Sequence, residues 1–352
     1  MPTNEAASHC GRSVISVNDT LRNLIDDIWY GRHPARLALL PCSWIYRGVM
    51  ALRRWVYQSR LLGVYRAPVP VIVVGNLTVG GTGKTPLVIW IARRLAEYGY
   101  KPGIVARGYR GAARSWPQQV RADSDPVMVG DEALVLARRT GLPVAVGPQR
   151  SADIAALLKH AGVNIIVCDD GLQHYALARD IEIAVLDGVR RYGNGACLPA
   201  GPLREPAARL ARVDLLVTNG LAARGEFAMR YVAARVRRVG AGAENVALAE
   251  FAERHVHAVA AIGNPDSFFE LLKRNGLRVT QHVFPDHHLF TPADLAFDDE
   301  RAVLMTEKDA VKCEHFADPR LWYVPLEIDL PEVFERRFKT LLHEVFDGQK
   351  AA

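Results

Sequence analysis

The stretch from Val69 to Ile91 (VPVIVVGNLTVGGTGKTPLVIWI) constrains the fold of this chain more than any other. It opens with an apolar, β-branched run, Val71 to Val74, that is typical of a strand buried on both faces. A glycine-rich loop, Lys84-Thr85 and an apolar helical pattern follow. Backbone N–H groups of such a loop and the N-terminus of the next helix together attract phosphate. The order of these parts predicts a nucleotide-binding P-loop.

The loop departs from the usual pattern G-x-x-x-x-G-K-[ST] at one position, where Thr78 replaces glycine. It resembles the double-glycine loops (GGxGKT) of ATPases related to the partition and nitrogenase-iron proteins. It lacks their additional lysine, because Val79 occupies that position. Lys84 would reach the β- and γ-phosphates, and the Thr85 hydroxyl would bind Mg²⁺. The residues predicted to bind the nucleotide are Thr78, Val79, Gly80, Gly81, Thr82, Gly83, Lys84 and Thr85.

A second strand-like run, Ile165 to Cys168, ends in Asp169-Asp170. A P-loop fold supplies a magnesium carboxylate from such a strand end. Two adjacent carboxylates repel each other unless a cation lies between them, and Mg²⁺ would supply that charge. The alternative is a strand followed by an Asx-type turn. Upstream, Asp131-Glu132 begins a helical pattern, where acids are also commonly simple caps.

Composition limits the compartment and the kind of site. The chain has 352 residues, a formal net charge of +6 and five cysteines without a C-x-x-C pair. This cysteine usage predicts a reducing compartment and argues against a disulfide framework or a zinc knuckle. We see neither a secretory signal nor an apolar run long enough to span a membrane, so we expect a cytoplasmic protein. Asp286-His287-His288 has no third ligand at zinc spacing.

The N-terminal region divides into a polar extension, residues 1–30, and a basic helical region, residues 31–66. The basic region contains arginines but no Asp or Glu. Its helical pattern places Trp44 and Trp55 on a broad apolar arc, with Arg47 and Arg54 on the opposite side. Such a helix fits the surface of an anionic membrane. The alternative is a helix packed on the domain core with its arginines in solvent.

The rest of the chain alternates strand and helix patterns, which predicts an α/β fold with a doubly wound, mostly parallel, P-loop NTPase-like sheet. We expect this nucleotide-binding core over residues 67–222 and a linker over 223–245. A second, smaller α/β lobe with a C-terminal helix is expected over 246–352. Arg107 directly follows a short strand, the place where open α/β sheets bind ligands.

Several sequence blocks, taken together, resemble one family, the tetraacyldisaccharide 4′-kinases of lipid A biosynthesis. These blocks lie in the family's order between about residues 40 and 330, and Thr78 is itself the family form of the loop. They are GNLTVGGTGKTP (75–86), ARGYRG (106–111), VGDEA (129–133), DDGLQH (169–174), YGNGACLPAGPLREP (192–206), GNPDSFF (263–269), FPDHHLFT (284–291) and MTEKDAVK (305–312).

The resemblance implies ATP-dependent phosphorylation of the 4′-hydroxyl of a tetraacylated glucosamine disaccharide 1-phosphate. It places the reaction at the cytoplasmic face of the inner membrane of a Gram-negative bacterium, with a peripheral enzyme. ATP and Mg²⁺ are the implied cofactors, and the lipid A precursor and the anionic membrane surface are the implied partners. We expect no nucleic-acid partner and no oligomer.

The family's site roles are carried over residue by residue. Lys84 and the loop amides are implied to hold the phosphates. The implied Mg²⁺ ligands are Thr85, Asp169 or Asp170, and Glu132.

The remaining implied roles concern the acceptor sugar. Asp131 of the GDE block resembles the base that accepts the sugar hydroxyl proton. His287 of the DHH block resembles its partner from the second lobe, with His288 as the open alternative. The candidates for contact with the phosphate and sugar groups of the substrate are Arg107, Tyr109, Arg150, Arg190 and Arg191.

Two other functions are considered. The first is a membrane-associated P-loop ATPase switch of the partitioning or metal-insertion type, against which Val79 and the Asp131/His287 pair argue. The second is a non-catalytic basic module that binds a membrane or nucleic acid, which would leave Lys84 and the Asp169-Asp170 pair unexplained.

Overall fold

The computed structural model describes residues 17–108, 111–240 and 244–350. In these ranges the strands form a nine-stranded sheet and a six-stranded sheet. Helices accompany both sheets. The predicted fold class is confirmed: an α/β protein with a mostly parallel, P-loop-like sheet and a second, smaller α/β lobe.

The nine-stranded sheet has the order β15-β8-β7-β6-β1-β5-β2-β4-β3. Its strands pair in parallel from β8 through β4, whereas β3 and β15 add antiparallel edges. The bounds are β1 (Val71–Gly75), β2 (Pro102–Ala106), β3 (Gln118–Val120), β4 (Val144–Val146), β5 (Ile165–Asp169), β6 (Ile181–Asp187), β7 (Leu215–Asn219), β8 (Phe227–Val232) and β15 (Glu327–Asp329).

The six-stranded sheet has the order β10-β9-β14-β13-β11-β12. Strands β14, β13, β11 and β12 are parallel neighbours, and β9 and β10 pair antiparallel at one edge. The bounds are β9 (Arg235–Arg238), β10 (Asn245–Ala247), β11 (His255–Ala260), β12 (Arg278–Val283), β13 (Val303–Thr306) and β14 (Leu321–Val324).

The helices connect and cover these strands, with short 3₁₀ turns at Ala207–Arg212, Leu248–Phe251 and Pro292–Leu295. Their bounds are α1 (Val17–Tyr30), α2 (Ala35–Gln58), α3 (Lys84–Glu97), α4 (Pro126–Val129), α5 (Asp131–Thr140), α6 (Arg150–Ala161), α7 (Pro265–Arg274), α8 (Glu307–Cys313) and α9 (Glu332–Lys350).

The β1 strand is buried on both faces, as its unbroken apolar run predicts. Ile72 and Val74 pack in one core cluster with Leu87 and Ile91 of α3. The alternate residues Val71 and Val73 pack in another cluster with residues of α6. Because β1, β2, β5 and β6 are parallel, their carboxyl ends share one edge of the sheet. The P-loop and Asp169-Asp170 are therefore neighbours.

Segment 223–245, which we expected to be a linker, instead contains a strand of each sheet. Strand β8 belongs to the nine-stranded sheet, and β9 belongs to the six-stranded sheet. The chain returns to the first sheet at β15. The C-terminal helix α9, expected with the smaller lobe, buries Phe334 and Phe338 in the core of the first sheet beside Trp90. A local pattern of apolar residues marks a strand or helix but not the sheet that it joins.

The polar extension expected over residues 1–30 is described from residue 17, and Val17–Tyr30 form helix α1. The basic region expected over 31–66 contains α2. It ends in a backbone ladder, in which Tyr65 N–H donates to the Ala176 carbonyl at 2.8 Å and Ala178 N–H donates to the Tyr65 carbonyl at 2.8 Å. The polypeptide is thereby attached to the nucleotide-binding core just before β1.

The docking of α9 on the first sheet generates a stability prediction. We expect Phe338→Ala to lower the free energy of unfolding by about 3–5 kcal/mol, because a fully buried aromatic ring is replaced by a cavity. Val333→Ala on the same helix is the control, since the Val333 side chain is exposed and its loss should cost less than about 0.5 kcal/mol. Urea unfolding measures both changes, and equal losses would contradict this packing.

Candidate active site

The P-loop has the backbone that a phosphate cradle needs. Gly80 and Gly83 have φ angles of 105° and 95°, in the region that favours glycine. Gly83 is the N-cap of α3, and a Cβ placed there would lie 2.5 Å from the Tyr231 hydroxyl. The loop therefore begins helix α3 with backbone N–H groups directed toward the site.

Asn76, which sequence reasoning did not single out, holds the inside of the loop. Its amide donates to the carbonyls of Thr78 at 2.9 Å and Gly80 at 3.3 Å. Its side-chain oxygen accepts a hydrogen bond from Lys84 Nζ at 3.1 Å. Lys84 Nζ also lies 3.5 Å from the Asp170 carboxylate. These two contacts hold the lysine along the loop.

The long Gly/Pro loop of residues 192–206 supports the P-loop from outside. Val79 N–H donates to the Pro202 carbonyl at 2.9 Å, and Arg204 N–H donates to the Leu77 carbonyl at 2.6 Å. The Arg204 guanidinium reaches the Asp170 carboxylate at 3.3 Å. Arg204 lies in the PLREP block and carried no predicted role.

Asp169 and Asp170 are adjacent in sequence but have different surroundings. Asp169 is 4% exposed, and its Oδ1 has no hydrogen-bond partner among the described residues. Burial and the nearby Glu132 carboxylate raise the pKa of Asp169 well above its ordinary range, although Lys84 opposes them. Burial also acts to raise the pKa of Asp170, but the charges of Lys84 and Arg204 outweigh it and lower that pKa. Nearby cations therefore outweigh the effect of burial on the pKa of Asp170 but not on that of Asp169.

Asp131 and His287 come together from different lobes. The carboxylate of Asp131, in the first turn of α5, lies 2.9 Å from Nδ1 of His287, in the loop after β12. Burial raises the pKa of Asp131, but the hydrogen bond to His287 and the charge of Lys308 outweigh it, so this pKa lies below its ordinary value. The same hydrogen bond raises the pKa of His287. His288 instead contacts Asp294 at 3.2 Å.

Glu132 is paired with a lysine of the second lobe. Lys308, in the first turn of α8, donates to the Glu132 carboxylate. Sequence reasoning quoted the MTEKDAVK block but assigned no role to this lysine. Both side chains line the same cavity as Asp131 and His287.

The second lobe also approaches the phosphate cradle through its GNP turn. A Cβ added at Gly263 would lie 2.9 Å from the Gly81 nitrogen, so glycine is needed for this approach. Asn264 Nδ2 donates to the Asp187 carboxylate at the end of β6, at 3.0 Å. The cradle is therefore covered by the six-stranded lobe.

These residues enclose a cavity of about 370 Å³ between the lobes. Its polar wall includes the loop from Val79 to Thr85 and six acids, Asp131, Glu132, Asp169, Asp170, Asp286 and Glu307. Apolar residues of both lobes complete the wall. The second lobe contributes Ile262, Phe268, Leu271, Val324 and Leu326, and the first lobe contributes Ile89, Val129, Val135 and Tyr231. In the described ranges, no group of three or more His, Cys, Asp or Glu side chains is arranged to hold a metal by itself.

The predicted substrate arginines do not all reach this cavity. Arg107 is exposed and lines it. Arg150 is 3% exposed and donates to the Asp169 carbonyl at 2.9 Å, so it lies beneath the site. Arg190 donates to the Gly263 carbonyl at 3.3 Å, and Arg191 pairs with Glu226 at 2.5 Å. Neither lines the cavity. Tyr109 lies outside the described residues.

Helix α2 presents its apolar arc away from the protein. Trp44 and Trp55 are 62% and 56% exposed. The opposite side contacts the 192–206 loop: Ser43 Oγ donates to the Cys197 carbonyl at 2.7 Å, and the Tyr46 hydroxyl donates to the Arg204 carbonyl at 3.0 Å. Among the helices that the structure describes, none is both long and apolar enough to cross a bilayer.

Comparison with known proteins identifies the family. The sequence model described as "Tetraacyldisaccharide-1-P 4'-kinase" matches residues 35–343. The chain is 52% identical to the tetraacyldisaccharide 4′-kinase of Nitrosococcus oceani over 92% of this chain and 95% of the relative. It is 45% identical to that of Legionella pneumophila (strain Lens), over 89% and 96%.

A solved structure agrees with these matches. The crystal structure of LpxK from Aquifex aeolicus in complex with ATP superposes with a TM-score of 0.73 at 28% identity. The match covers 89% of this chain and 99% of that one. The chain therefore belongs to the tetraacyldisaccharide 4′-kinase family.

Proposed function

We propose that the chain transfers the γ-phosphate of ATP to the 4′-hydroxyl of a tetraacyldisaccharide 1-phosphate, a step of lipid A synthesis. Family membership and the ATP complex of the Aquifex aeolicus relative support this activity. The observation that carries it is the Asp131–His287 pair, which shares one cavity with the P-loop. An acid beside a phosphate cradle is what a phosphotransferase with an alcohol acceptor needs.

The P-loop holds the triphosphate in this proposal. The amides of Gly80 to Thr85 and the positive end of α3 face the phosphate oxygens. Lys84 already has its ammonium held by Asn76 at 3.1 Å, so little ordering remains when nucleotide binds. Phosphoryl transfer depends mainly on such positioning and charge neutralisation.

The residues around Asp169 fit a magnesium ion. The buried Oδ1 of Asp169 lacks a hydrogen-bond partner among the described residues, and the nearby negative charge of Glu132 further disfavours the ionised form of Asp169. Mg²⁺ is usually held by one or two carboxylates together with waters and substrate phosphates, so a ligand cage made by the protein alone is not needed. The residues that would hold the ion are Thr85, Asp169, Asp170 and Glu132. When bound, the ion neutralises charge on the phosphates.

Asp131 acts as the general base. Its lowered pKa keeps it ionised at neutral pH, so it can accept the proton of the sugar hydroxyl. His287 holds the carboxylate through Nδ1 and orients it toward the cavity. Because the pair joins two lobes, the base is complete only when the lobes are docked, and docking also limits access of water. Arg107 lines the cavity and is our candidate contact for the acceptor.

The enzyme works at a membrane surface in this proposal, as a peripheral protein at the cytoplasmic face of the inner membrane. Its acceptor carries acyl chains, and α2 exposes Trp44 and Trp55 with arginines on the same element. Tryptophan and arginine together suit the interface of an anionic bilayer. Tyr46 of α2 contacts the Arg204 carbonyl, and the Arg204 guanidinium pairs with Asp170. Arg204 therefore links α2 to the phosphate site.

The alternative function is a P-loop ATPase switch. The Asp131–His287 pair favours the kinase over the switch, because a switch needs no base to accept a proton from an alcohol. The deciding assay supplies γ-³²P-labelled ATP and the tetraacyldisaccharide 1-phosphate. We expect labelled lipid from the wild-type chain and none above background from Lys84→Met. Hydrolysis of ATP without labelled lipid would favour the switch.

The role of Asp131 predicts a selective loss of turnover. Asp131→Asn should lower kcat by about 10²–10⁴-fold, because general-base assistance contributes about that much. Affinity for ATP should remain near the wild-type value, since Asp131 does not belong to the P-loop. Single-turnover kinetics and equilibrium nucleotide binding measure these quantities separately. A wild-type rate would remove Asp131 as the base.

The pH dependence follows from the shifted pKa values. His287→Asn removes a hydrogen bond that lowers the pKa of Asp131, so the acidic limb of the kcat profile should move to higher pH. His288→Asn is the matched control, because His288 contacts Asp294 and does not line the cavity. An unmoved acidic limb in His287→Asn would contradict the assignment.

The same pair contributes to stability within a pH window. Its contribution is complete between the ordinary pKa values of Asp and His, about 3.9 and 6.5. It declines as pH falls through the lowered pKa of Asp131 and as pH rises through the raised pKa of His287. The difference in unfolding free energy between wild type and His287→Asn should therefore be largest in that window.

The exposed arc of α2 predicts membrane affinity. Trp44→Gln and Trp55→Gln should each weaken binding to vesicles of phosphatidylethanolamine and phosphatidylglycerol by about tenfold, the equivalent of ~1.4 kcal/mol. Leu221→Gln is the control, an exposed apolar residue on the loop after β7. Sedimentation with vesicles measures the partition, and equal binding by all variants would exclude this face as the membrane contact.

A further inference from the structure

Lys308 places a second-lobe cation at the centre of the site. It lies in the first turn of α8, directly after β13 of the six-stranded sheet. The Thr306 hydroxyl caps this helix by accepting from the Asp309 N–H at 3.3 Å, which fixes where the helix begins. The Lys308 side chain is half-buried and lines the cavity.

The contact of Lys308 crosses the interface between α5 and α8. Its Nζ donates to the carboxylate of Glu132, which is adjacent in sequence to Asp131. Farther along, Arg138 of α5 pairs with Glu314, the residue that directly follows α8, and this ion pair does not line the cavity. Arg139 of α5 also pairs with Glu307 of α8, at 2.8 Å, and both residues line the cavity. The Arg138–Glu314 pair therefore serves as a reference contact outside the site.

The lysines of this region are paired with different acids. Lys84 lies 3.5 Å from Asp170, and Lys312 lies 2.7 Å from Asp309. Lys308 is directed to Glu132, a carboxylate that lines the same cavity as Thr85, Asp169 and Asp170. Lys312 also lies 3.9 Å from Asp131, so of these three lysines Lys308 is the one that contacts Glu132.

We propose that Lys308 is a positioning residue that holds the Glu132 carboxylate at the phosphate cradle. Docking of the second lobe thereby brings Glu132 into place among the residues that hold Mg²⁺. The inference rests on the proposed function, because it assigns Glu132 a part in holding Mg²⁺·ATP. Lys308 acts through Glu132 and need not touch a substrate. Groups that orient a metal-binding side chain typically affect metal affinity or activity by about 10–100-fold.

A double-mutant cycle tests whether Lys308 acts through Glu132. Lys308→Met should lower turnover by about 10–100-fold, and Lys308→Arg should retain most of it because the charge remains. In the Glu132→Gln background, Lys308→Met should add less than about threefold to the Mg²⁺ concentration needed for binding of an ATP analogue, since coupled residues are not additive. If the effects of the two substitutions instead multiplied, the two residues would act independently. That result would overturn the proposal and favour direct contact of Lys308 with phosphate.

A binding measurement without acceptor lipid separates this inference from the proposed function. The Mg²⁺ concentration needed for tight binding of a fluorescent ATP analogue should rise by about 10–100-fold in Lys308→Met and little in Lys308→Arg. This result does not depend on which alcohol accepts the phosphate. The wild-type chain in the labelling assay tests the proposed function by itself.

The matched control is Glu314→Gln, which removes an ion pair of the same α5–α8 interface outside the cavity. It should leave the Mg²⁺ requirement and the turnover near wild type. If Glu314→Gln reproduced the losses of Lys308→Met, Lys308 would be a general interface contact and the proposal would fail. Circular dichroism checks folding, and Lys308→Gln replaces Lys308→Met in the same comparisons if the methionine variant unfolds.

Discussion

The contact between the Asp131 carboxylate and the His287 imidazole, at 2.9 Å, depends on almost every large-scale feature of this protein. Asp131 starts α5 in the first lobe, and His287 follows β12 in the second. The chain enters the second lobe before β9 and leaves it before β15. The nine-stranded sheet therefore contains strands from before and after the second lobe, whereas the six-stranded sheet consists of the consecutive strands β9 to β14. The Gly263 turn, which approaches the Gly81 nitrogen, brings the second lobe onto the phosphate cradle. A dyad built in this way exists only in the docked arrangement.

The four acids that lie nearest the P-loop in the proposed mechanism, Asp131, Glu132, Asp169 and Asp170, differ in the cations that surround them. Asp170 is compensated by Lys84 and Arg204, Glu132 by Lys308, and Asp131 by His287. Asp169 is buried with an oxygen that has no partner among the described residues. Because a buried carboxylate is costly without a cation, added positive charge is favourable at Asp169. That position lies next to the phosphate loop, which is where phosphoryl transfer uses it.

Helix α2 connects this charged site to an exposed apolar surface. Its inner side is held by Ser43 and Tyr46 on the 192–206 loop, and that loop also pairs with the P-loop. The same contacts leave Trp44 and Trp55 facing outward. The amphipathic pattern of α2 by itself allows either its apolar or its polar side to face the domain. The hydrogen bonds of Ser43 and Tyr46 determine which side does.

The sequence by itself determined the parts of the protein whose cause is local. Glycines at Gly80 and Gly83 are needed for positive φ, the apolar run of β1 needs burial on both faces, and Asp169-Asp170 ends a buried strand. The tertiary structure alone decided which distant side chains meet. Arg150, expected at the substrate, is buried beneath Asp169; segment 223–245, expected as a linker, joins both sheets; and Lys308, without a predicted role, reaches Glu132. Backbone conformation depends on a few neighbouring residues, whereas a charged side chain takes its partner from whichever element the packing of the lobes brings within a few ångströms.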